Sequence, residues 1–509
     1  MPPFHLPADY SENPQNSYHD DVELFVSTTM HQPDVYAAAQ YFLTASGRST
    51  IVDLGCGNAR KLLDTDAKRR IGVDFGPNIA WCRDRHGGMA EWCEVDFSRP
   101  DCRSAAAMTG DDTVVVCADV IEHLADPRPL LGLLADCRHR GALVITSTPD
   151  RVRVRGADHK GPPPNQSHVR EWALDEYVAL LADHDLSCTY AGYTINNTAH
   201  RELKTIVTIH DRSVERVRTS PDVAPPPVAI LAAYNEADVI QEVAEDLLAQ
   251  GCDLVLIDNW SDDGTWEAMS ALSQRHPARV QTERFPAGGP ASHYEWRNIL
   301  RRKEEIAAGF PGRWILHTDA DKVRRSPFAG TNLAEGLAIA QRCRANRVGF
   351  NLVNLRPVDD RPFVPGTLAH HFGHFEFGSR PGHFMQAKAW LQGTHRVDLA
   401  SSGGHTVAFP GARDFPYKFL LQHYPIRSRE HGRRKVLMER HGRWSPYERE
   451  TLKWHSQYDG FSSDSPFTWS ADGLHRFDES FFREHGLLIM TDILEKRLSG
   501  EFGHSCAPS

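Results

Sequence analysis

The feature that most constrains the fold is an alternation of short, β-branched apolar runs with longer amphipathic stretches. Strands that alternate with helices in this way form βαβ units around a parallel sheet. Between about residues 33 and 210 the pattern predicts an α/β domain. Its predicted strands are Thr50–Leu54, Arg70–Asp74, Trp92–Asp96, Thr113–Cys117, Ala142–Thr146, Cys188–Tyr193 and Lys204–His210.

A second alternating segment follows a proline-rich boundary. Residues 215–227 read ERVRTSPDVAPPP, and proline runs favour an extended, semi-rigid chain. Beyond them we predict a helix at about 237–250 and strands at Val228–Ala232, Leu254–Asp258, Arg279–Glu283, Trp314–Thr318 and Val348–Val353. The predicted organisation is a loosely packed N-terminal arm (1–32), an α/β domain (33–212), a linker (213–227), a second α/β domain (228–445) and a C-terminal extension (446–509).

Composition excludes several classes of protein. The 57 Lys and Arg against 67 Asp and Glu give a net charge of −10, which argues against nucleic-acid binding by bulk electrostatics. No apolar run approaches the roughly 18 to 20 residues of a membrane helix, and the polar N-terminus is unlike a signal peptide. The ten cysteines form no CxxC pair, which indicates buried thiols in a reducing compartment. We therefore predict a cytoplasmic protein.

Acids and glycines are predicted at the carboxyl edge of the first sheet, where open α/β sheets bind ligands. Glycines at a strand-to-helix turn let a ligand approach the main chain closely. An acid after the second strand can hold both ribose hydroxyls, and one after the third can accept from the exocyclic amine of adenine. The residues are Asp53, Gly55, Gly57, Asp74 and Asp96, with Asp119, Glu122 and His123 after the fourth strand.

Over about residues 35–210 these motifs resemble the class I S-adenosylmethionine-dependent methyltransferases. DLGCGNA is similar to the first motif of that family, VDFG to its ribose-binding acid and DVIEHL to its fourth-strand signature. The segment NQSHVREW is similar to the stretch before the last helix, and Ala59 stands where a third glycine is common. The resemblance implies a Rossmann-like seven-stranded sheet that binds S-adenosyl-L-methionine through Asp53, Gly55, Gly57, Asp74, Asp96 and Asp119.

Methyl transfer to a hydroxyl group is helped by a general base near the sulfonium. His123 and His168 are candidates because imidazole titrates near neutral pH. A structural histidine at a helix start remains the alternative for each.

The chemical centre of the second domain is the pair Asp319 and Asp321, directly after a predicted strand. Two carboxylates one residue apart can bind a divalent cation that bridges a diphosphate, and the cation then neutralises charge on a departing nucleoside diphosphate. Two earlier strands end in related positions, in the motifs AAYNEADVI (Tyr234, Asn235 and Glu236) and IDNWSDDGT (Asp258).

Over about residues 226–440 this half resembles the family 2 glycosyltransferases with the GT-A fold. The resemblance implies a nucleotide-sugar donor and Mn²⁺ or Mg²⁺, with Tyr234, Asn235, Glu236 and Asp258 near the nucleotide and with Asp319 and Asp321 near the ribose and the metal. A C-terminal histidine often completes the metal shell in this family, and His423 is the candidate. Lys322 stands where relatives often have an acid.

Inverting enzymes of this family need a carboxylate base, for which Asp359, Asp360 and Glu376 are available. We favour Glu376 because it lies among aromatic residues. Arg427 could bind a phosphate through its planar guanidinium. The run from 427 to 443 holds seven Lys or Arg against two Glu, and we interpret it as a solvated helix face, with an electropositive wall as the alternative.

The sequence thus predicts a bifunctional transferase that methylates and glycosylates a small molecule or glycan. Membrane contact would be peripheral, and only if the acceptor is lipid-linked. One alternative is a metal-dependent glycosyltransferase whose first domain only binds the methyl donor or is structural. A second is a non-catalytic scaffold that binds a glycan or a carrier. Nucleic-acid methylation is disfavoured by the charge balance.

Overall fold

The computed structural model describes residues 3–14, 29–218, 224–378, 383–440 and 442–499. The chain divides into two compact units, Met1–Ser220 with Phe482–Leu494, and Pro221–Phe481 with Glu495–Ser509. The division falls inside the predicted linker, of which 219–223 lie outside the described residues. Residues 482–494 belong to the first unit, whereas the sequence suggested a continuous extension over 446–509, of which 500–509 are not described.

A seven-stranded sheet forms the centre of the first unit, with the strand order β3-β2-β1-β4-β5-β7-β6. β1 to β5 are parallel, and β7 runs antiparallel to both of its neighbours. The strands are β1 (Thr50–Leu54), β2 (Arg69–Asp74), β3 (Glu91–Glu94), β4 (Thr113–Ala118), β5 (Leu143–Pro149), β6 (Tyr190–Ile195) and β7 (Leu203–His210).

Helices cover this sheet and bury their apolar faces on it. In α4 (Arg128–His139), for example, the four leucines 130, 131, 133 and 134 are buried in the core. Burial of each leucine side chain stabilises the folded state by about 1.5–3 kcal/mol relative to an exposed position. The other helices are α1 (Pro33–Ala45), α2 (Arg60–Leu63), α3 (Pro77–His86), α5 (Arg151–Arg155), α6 (Leu174–Ala182) and α7 (Arg212–Arg218). α7 begins the segment that the sequence suggested as a linker.

The N-terminal arm is packed where it is described, so the prediction of a loose arm is wrong for residues 3–14. Leu6 is buried in the core of the first unit. The Asn13 side-chain amide donates to the carbonyl oxygens of Pro163 at 2.7 Å and His168 at 2.9 Å, and the Trp172 indole donates to the Phe4 carbonyl at 3.0 Å. Residues 15–28 of the arm lie outside the described residues.

The second unit is built on one mixed sheet, in which β8 to β11 are parallel in the order β10-β9-β8-β11. The sheet continues through antiparallel neighbours as β15-β13-β14-β17, and β16 joins β12 to β13. Its strands are β8 (Val228–Ala233), β9 (Asp253–Asp258), β10 (Val280–Arg284), β11 (Trp314–Asp319), β12 (Lys322–Arg325), β13 (Arg347–Leu355), β14 (His374–Phe377), β15 (Met385–Leu391), β16 (Phe419–His423) and β17 (His475–Arg476).

The helices of this half follow the same alternation as far as β13 and become short and irregular beyond it. Its core gathers Ile230, Ile257, Ile315 and Trp390 from four neighbouring or near-neighbouring strands. The helices are α8 (Ile240–Ala249), α9 (Thr265–Arg275), α10 (Trp296–Ala308), α11 (Leu333–Arg342), α12 (Leu368–His371), α13 (Arg429–Gly432), a π-helix (Arg433–Arg440) and α14 (Pro446–Glu450). The last two helices are α15 (Phe481–Met490), which belongs to the first unit except for Phe481, and α16 (Ile493–Ser499), which passes from the first unit to the second. Within the described ranges no helix has the length and apolarity needed to cross a bilayer.

Candidate active sites

A cavity of about 970 Å³ opens at the carboxyl edge of the first sheet. That volume is at the upper end of the range of about 300–1,000 Å³ for ligand sites, so two small molecules can share it. Of the six residues predicted to bind the methyl donor, five are among the described residues that line this cavity, namely Gly55, Gly57, Asp74, Asp96 and Asp119.

The turn after β1 requires glycine at its first position. Gly55 has φ +84°, and a Cβ there would lie 2.3 Å from Cγ2 of Val120. Gly57 also has a positive φ, and its amide donates to Oδ2 of Asp74 at 2.7 Å. Ala59 keeps a left-handed conformation with φ 55°, which a glycine would adopt without strain. The turn therefore presents bare main chain to the cavity.

Asp74 and Asp96 lie at the strand ends that a ribose and an adenine would reach. The amide of Phe75 donates to Oδ1 of Asp74 at 2.7 Å, and burial raises the pKa of this carboxyl. Asp96 lies two residues beyond the end of β3, not at its last residue, and it accepts from the amide of Ser98 at 2.9 Å. Both side chains still line the cavity.

Asp53 lies behind the glycine turn and is not among the described residues that line the cavity. Both of its carboxylate oxygens are 2.9 Å from the Tyr36 hydroxyl, and the side chain is buried. Burial raises its pKa to about 6, against the lowering effects of Lys61 and of the Tyr36 hydrogen bond. The structure thus gives Asp53 a supporting position, with no direct access to a ligand.

The two histidines from the sequence analysis are adjacent, with ring centroids 5.0 Å apart in an edge-to-face arrangement. Nδ1 of His123 donates to the Ser167 carbonyl at 2.8 Å, and Nδ1 of His168 donates to the Glu171 carboxylate at 2.8 Å. Burial raises the pKa of Glu171, but the His168 hydrogen bond and the Arg155 charge outweigh it and the pKa is lowered. Both histidines line the cavity.

Glu122 lies next to this histidine pair and is fully buried. Its Oε2 accepts from the Thr148 hydroxyl at 3.0 Å, whereas Oε1 has no hydrogen-bond partner among the described residues. Burial and the neighbouring charge of Asp119 raise the pKa of Glu122 well above its usual value.

The second unit has its own cavity, of about 620 Å³, at the carboxyl ends of β8 and β11. Four acids line it: Glu236, Asp319, Asp321 and Glu376. Six Lys and Arg side chains are also among the described lining residues: Lys322, Arg356, Lys388, Lys435, Arg440 and Lys453. Burial lowers the pKa of Lys388 well below its usual value, and the other five still outnumber the four acids, which favours an anionic ligand in a chain whose net charge is −10.

The Asp319–Asp321 pair is surrounded by lysines. Lys322 forms ion pairs with both aspartates, Lys303 approaches Oδ1 of Asp319 at 3.7 Å, and Lys435 lies 3.2 Å from Oδ2 of Asp321. Burial raises the pKa of both carboxyls, but these cations outweigh it and hold each pKa well below its usual range. The aspartates are therefore ionised, and Oδ1 of each has no hydrogen-bond partner in the described structure.

His423 faces this pair from β16, with Nε2 at 3.6 Å from Oδ2 of Asp321. Its Nδ1 donates to Oδ1 of Asn354 at 2.8 Å, which turns the lone pair of a neutral ring toward the aspartate. Burial lowers the pKa of His423 to about 4, so the ring is neutral at pH 7. A lone pair and a carboxylate that face each other fit a cation between them, so these residues suit a divalent metal.

Glu236 joins the first strand-end motif to the C-terminal part of this half. Its carboxylate pairs with Arg427 at 2.7 Å and Lys435 at 2.8 Å. Arg427 is fully buried and also binds Asp238 through two hydrogen bonds of 2.7 and 2.8 Å. Its guanidinium is therefore occupied by protein carboxylates and lies outside the described lining of the cavity, where a phosphate would bind.

The other predicted nucleotide contacts separate into two groups. Tyr234 lines the cavity, and Arg443 stacks 3.7 Å from the centre of its ring. Asn235 instead ties two loops together through Asp262, with bonds of 2.8 and 3.1 Å, and Asp258 is buried 3.2 Å from Arg284. Neither Asn235 nor Asp258 is among the described residues that line the cavity.

Among the three candidate bases, only Glu376 lines the cavity. It pairs across the sheet with Asn354, and Arg356 donates two hydrogen bonds to its Oε1, at 2.6 and 3.0 Å. Asp359 and Asp360 are exposed and pair with surface arginines instead.

The sequence analysis missed the lysines that line or support this cavity. Lys303 lies on the apolar face of α10 with Ile299 and Ala307, a four-residue spacing that could have revealed a buried amine. Burial lowers its pKa to about 7. Lys388 is buried within β15, where a lysine in an apolar strand was the available signal. Lys435 and Arg440 come from the run that we interpreted mainly as a solvated face, and both line the cavity.

These observations define an α/β protein of two units, each with a ligand cavity at the carboxyl edge of its parallel strands. Residues 228–294 match the family model described as Glycosyl transferase family 2. The match includes the first two strand-end motifs and ends before Asp319. No curated protein matches the chain. The second unit thus contains a glycosyltransferase family 2 domain, which indicates a transferase.

Several solved structures similar to the first unit are described as methyltransferases. One is a complex of the Haloferax volcanii Trm112 methyltransferase activator with a methyltransferase, at 16% identity and TM-score 0.25 over 36% of this chain and 98% of that one. Another is the mitomycin 7-O-methyltransferase, at 16% identity and TM-score 0.25 over 35% and 53% of the two chains. A third is an O-methyltransferase from neocarzinostatin biosynthesis in complex with S-adenosylmethionine, at 17% identity and TM-score 0.26 over 34% and 52%.

The chain spans about half the length of those two O-methyltransferases. Because the TM-scores are low, the architecture of the first unit rests on its own strand order and cavity.

Proposed function

We propose that the protein is a bifunctional transferase, with S-adenosylmethionine-dependent methyl transfer in the first unit and inverting glycosyl transfer from a nucleotide-sugar in the second. One observation carries the proposal: each unit gathers its motif residues around a cavity at the carboxyl edge of its own sheet. Ligands of open α/β sheets bind at this edge.

In the first cavity, Asp74 binds the ribose hydroxyls of the donor and Asp96 the adenine amine. The main chain at Gly55 and Gly57 leaves room for the donor because no Cβ intrudes there. His123 and His168 line the same cavity and are our candidates for the groups that assist loss of the proton from a hydroxyl acceptor. Its volume of about 970 Å³ accommodates an acceptor beside the donor.

In the second cavity, the lysines around Asp319 and Asp321 hold the diphosphate of the donor, and the aromatic rings of Tyr234, Tyr294 and Trp296 offer stacking surfaces for its base or sugar. Glu376 removes the proton from the acceptor hydroxyl. Arg356 positions Glu376 by binding Oε1, and Oε2 accepts no hydrogen bond from the described residues. The acceptor reaches this oxygen from the cavity.

A divalent cation, Mn²⁺ or Mg²⁺, fits this site, and Asp321 and His423 would hold it, with Asp319 beside them. When bound, the cation neutralises charge on the departing diphosphate. Lys322 and Lys435 already pair with the same carboxylates, so they compete with the cation in the absence of donor and turn to the phosphates in its presence.

We place both reactions in the cytoplasm, on a glycan or a glycosylated natural product. The nine cysteines in the described ranges are free thiols, as expected in a reducing compartment. Linkage of the two activities in one chain raises the local concentration of one product near the second site. An acceptor that is lipid-linked would bring the protein to a membrane surface.

The test is direct assay of both activities in the full chain. Calorimetric titration with S-adenosylmethionine is expected to show one site that Asp74→Ala weakens at least tenfold, while the exposed Asp101→Ala leaves it unchanged. Mn²⁺-dependent hydrolysis of a panel of nucleotide-sugars is expected for the wild type and is lost in Asp321→Ala but kept in Asp359→Ala. Donor binding without methyl transfer to any glycan in a panel would favour a first unit that only binds the donor. Absence of both activities would favour a scaffold.

Glu376→Gln separates binding from chemistry in the second unit. We expect it to keep nucleotide-sugar affinity and to reduce transfer by about 10²-fold or more, because the amide cannot accept the acceptor proton. A variant with unchanged transfer would remove Glu376 from this role.

A further inference from the structure

We propose that Glu122, His123 and His168 form a binding site for a divalent transition-metal ion at the wall of the first cavity. One potential ligand atom from each residue lies within 4.8 Å of the other two. His123 comes from the turn after β4, and His168 comes from the segment before α6, so the fold brings the two imidazoles together from distant parts of the chain.

Both imidazoles are oriented as in protein metal sites. A histidine that binds a metal usually donates its other ring N–H to a carboxylate or a main-chain carbonyl, which fixes the ring and its tautomer. His123 donates Nδ1–H to the Ser167 carbonyl, and His168 donates Nδ1–H to the buried Glu171 carboxylate. With Nδ1 acting as the donor in each ring, Nε2 is the nitrogen that would bind the metal ion.

Glu122 supplies the buried oxygen that such a site needs. Its side chain has no solvent exposure, and Oε1 has no hydrogen-bond partner among the described residues. Oδ1 of the neighbouring Asp119 is likewise buried, and the carboxyl groups of Asp119 and Glu122 interact directly. Two buried carboxylates side by side repel each other, and a cation beside them removes that cost. The contact to be displaced is the Asn165 side-chain nitrogen, 2.9 Å from Nε2 of His168.

The ligand set indicates the kind of ion. Two imidazoles and one carboxylate suit Zn²⁺, Mn²⁺, Fe²⁺ or Co²⁺ better than Ca²⁺, which prefers oxygen ligands only. His123, His168 and Asp119 line the cavity, so the open coordination positions of the ion face the space beside the methyl donor.

The catalytic role of this ion rests on the proposed methyl transfer. An acceptor hydroxyl bound to a cation loses its proton more readily, as metal-bound water does. The proton leaves to water in the cavity, the oxygen lone pair attacks the methyl carbon, and the carbon–sulfur bond breaks with its electron pair kept by sulfur. The open positions favour an acceptor that carries a second oxygen next to the reacting hydroxyl, since both oxygens can then bind the ion.

The test uses the full chain with Asp321→Asn, which weakens the predicted metal site of the second unit. Equilibrium dialysis with Co²⁺, read by metal analysis and by the visible absorption of bound Co²⁺, is expected to show one ion per chain. Glu122→Gln and His168→Gln are each expected to weaken it at least tenfold. The matched control is His184→Gln, because the His184 ring donates to the Leu180 carbonyl and His184 is not among the described residues that line the cavity. Calorimetric binding of S-adenosylhomocysteine shows that each variant is folded.

The outcomes separate this inference from the proposed function. Co²⁺ binding that Glu122→Gln and His168→Gln leave unchanged, or no Co²⁺ binding by a chain that binds S-adenosylhomocysteine, overturns the metal site whether or not methyl transfer occurs. Co²⁺ binding that needs both residues supports the metal site even if no methyl acceptor is found. In that case the proposed methyl transfer is rejected and the metal site is kept.

Discussion

Single residues in the second unit show how buried charge is arranged around the predicted donor site. Arg427 has no solvent exposure and is held between Glu236 and Asp238. Glu236 in turn contacts Lys435, which reaches Asp321. The burial of so many charges is tolerable only while each has a partner, because an unpaired buried charge is strongly destabilising.

We therefore expect Arg427→Ala to lower the free energy of unfolding of the second unit by about 3–5 kcal/mol, since it removes the arginine that pairs with Asp238 and leaves buried Glu236 with Lys435 as its main partner. This loss is measured by denaturant unfolding, with hydrogen exchange of peptides from β8 and β16 as the readout. The control is Arg429→Ala, whose half-exposed side chain pairs with Asp360 and should contribute only about 0–1 kcal/mol. Equal losses in the two variants would contradict a structural role for Arg427.

A second prediction concerns His210, which is buried at the end of β7. Burial lowers its pKa from 6.5 to about 4. Between pH 6.5 and pH 4 the imidazole of His210 binds a proton in the unfolded chain but not in the folded chain. The free energy of unfolding therefore has its full value above pH 6.5 and decreases as the pH falls toward 4. The loss amounts to about 3 kcal/mol.

The measurement is hydrogen exchange of peptides that cover β7 in the wild type and in His210→Gln, at matched pH values from 7 to 4. We expect the wild type to lose protection relative to the variant as the pH falls. Comparison at each pH cancels the opposite trend of Asp53, whose raised pKa favours the folded state in acid. A constant difference between the two proteins would contradict the assigned cause.

At the scale of secondary-structure elements, α15 packs closely on β6 within the first unit. The Tyr190 hydroxyl donates to the Arg483 carbonyl at 3.3 Å, and Glu484 forms an ion pair with Arg153. Gly486 makes this packing possible, because a Cβ there would lie 2.5 Å from Cε2 of Tyr190. The absence of a side chain at residue 486 thus lets α15 pack on β6 in the first unit.

We expect Gly486→Leu to displace α15 from β6, at a cost of about 1–3 kcal/mol for overpacking. Hydrogen exchange over residues 482–490 should become about tenfold faster or more, with β1 unaffected. Gly473→Ala is the control, because no atom lies within 4 Å of a Cβ at that position. Unchanged exchange over 482–490 in Gly486→Leu would contradict the packing described.

At the scale of the whole molecule, each unit has its own sheet, core and cavity. Among the described residues that line the second cavity, Lys and Arg outnumber Asp and Glu by six to four, although acids outnumber bases in the chain as a whole. In the proposed function, a diphosphate would meet the Lys and Arg side chains of the second cavity, and the sulfonium compound would meet the carboxylates and main-chain groups of the first.

It follows that each ligand should stabilise its own unit. A ligand at 100 times its Kd adds about 2.7 kcal/mol to the stability of the state that binds it. We expect S-adenosylhomocysteine to slow hydrogen exchange only in residues 29–218 and 482–494, and a nucleoside diphosphate with Mn²⁺ only in residues 224–378 and 383–440. Protection of both units by either ligand would show that the two sites are coupled.

The sequence by itself determined the α/β class and twelve strands, because β-branched content and hydrophobic period are local properties that act within a few residues. It also located Asp74, Asp96, Asp319 and Asp321, since a residue that directly follows a parallel strand must lie near the ligand-binding edge.

Only the tertiary structure decided which of these residues reach a cavity and what surrounds them. Asp53 is turned to Tyr36 and Arg427 to Glu236, while the Asn354–Glu376 pairing brings Glu376, and neither Asp359 nor Asp360, to the second cavity. The same holds for Lys388 and for the meeting of His123 with His168. Such contacts join residues far apart in the chain, so they depend on strand register and packing, which no local pattern records.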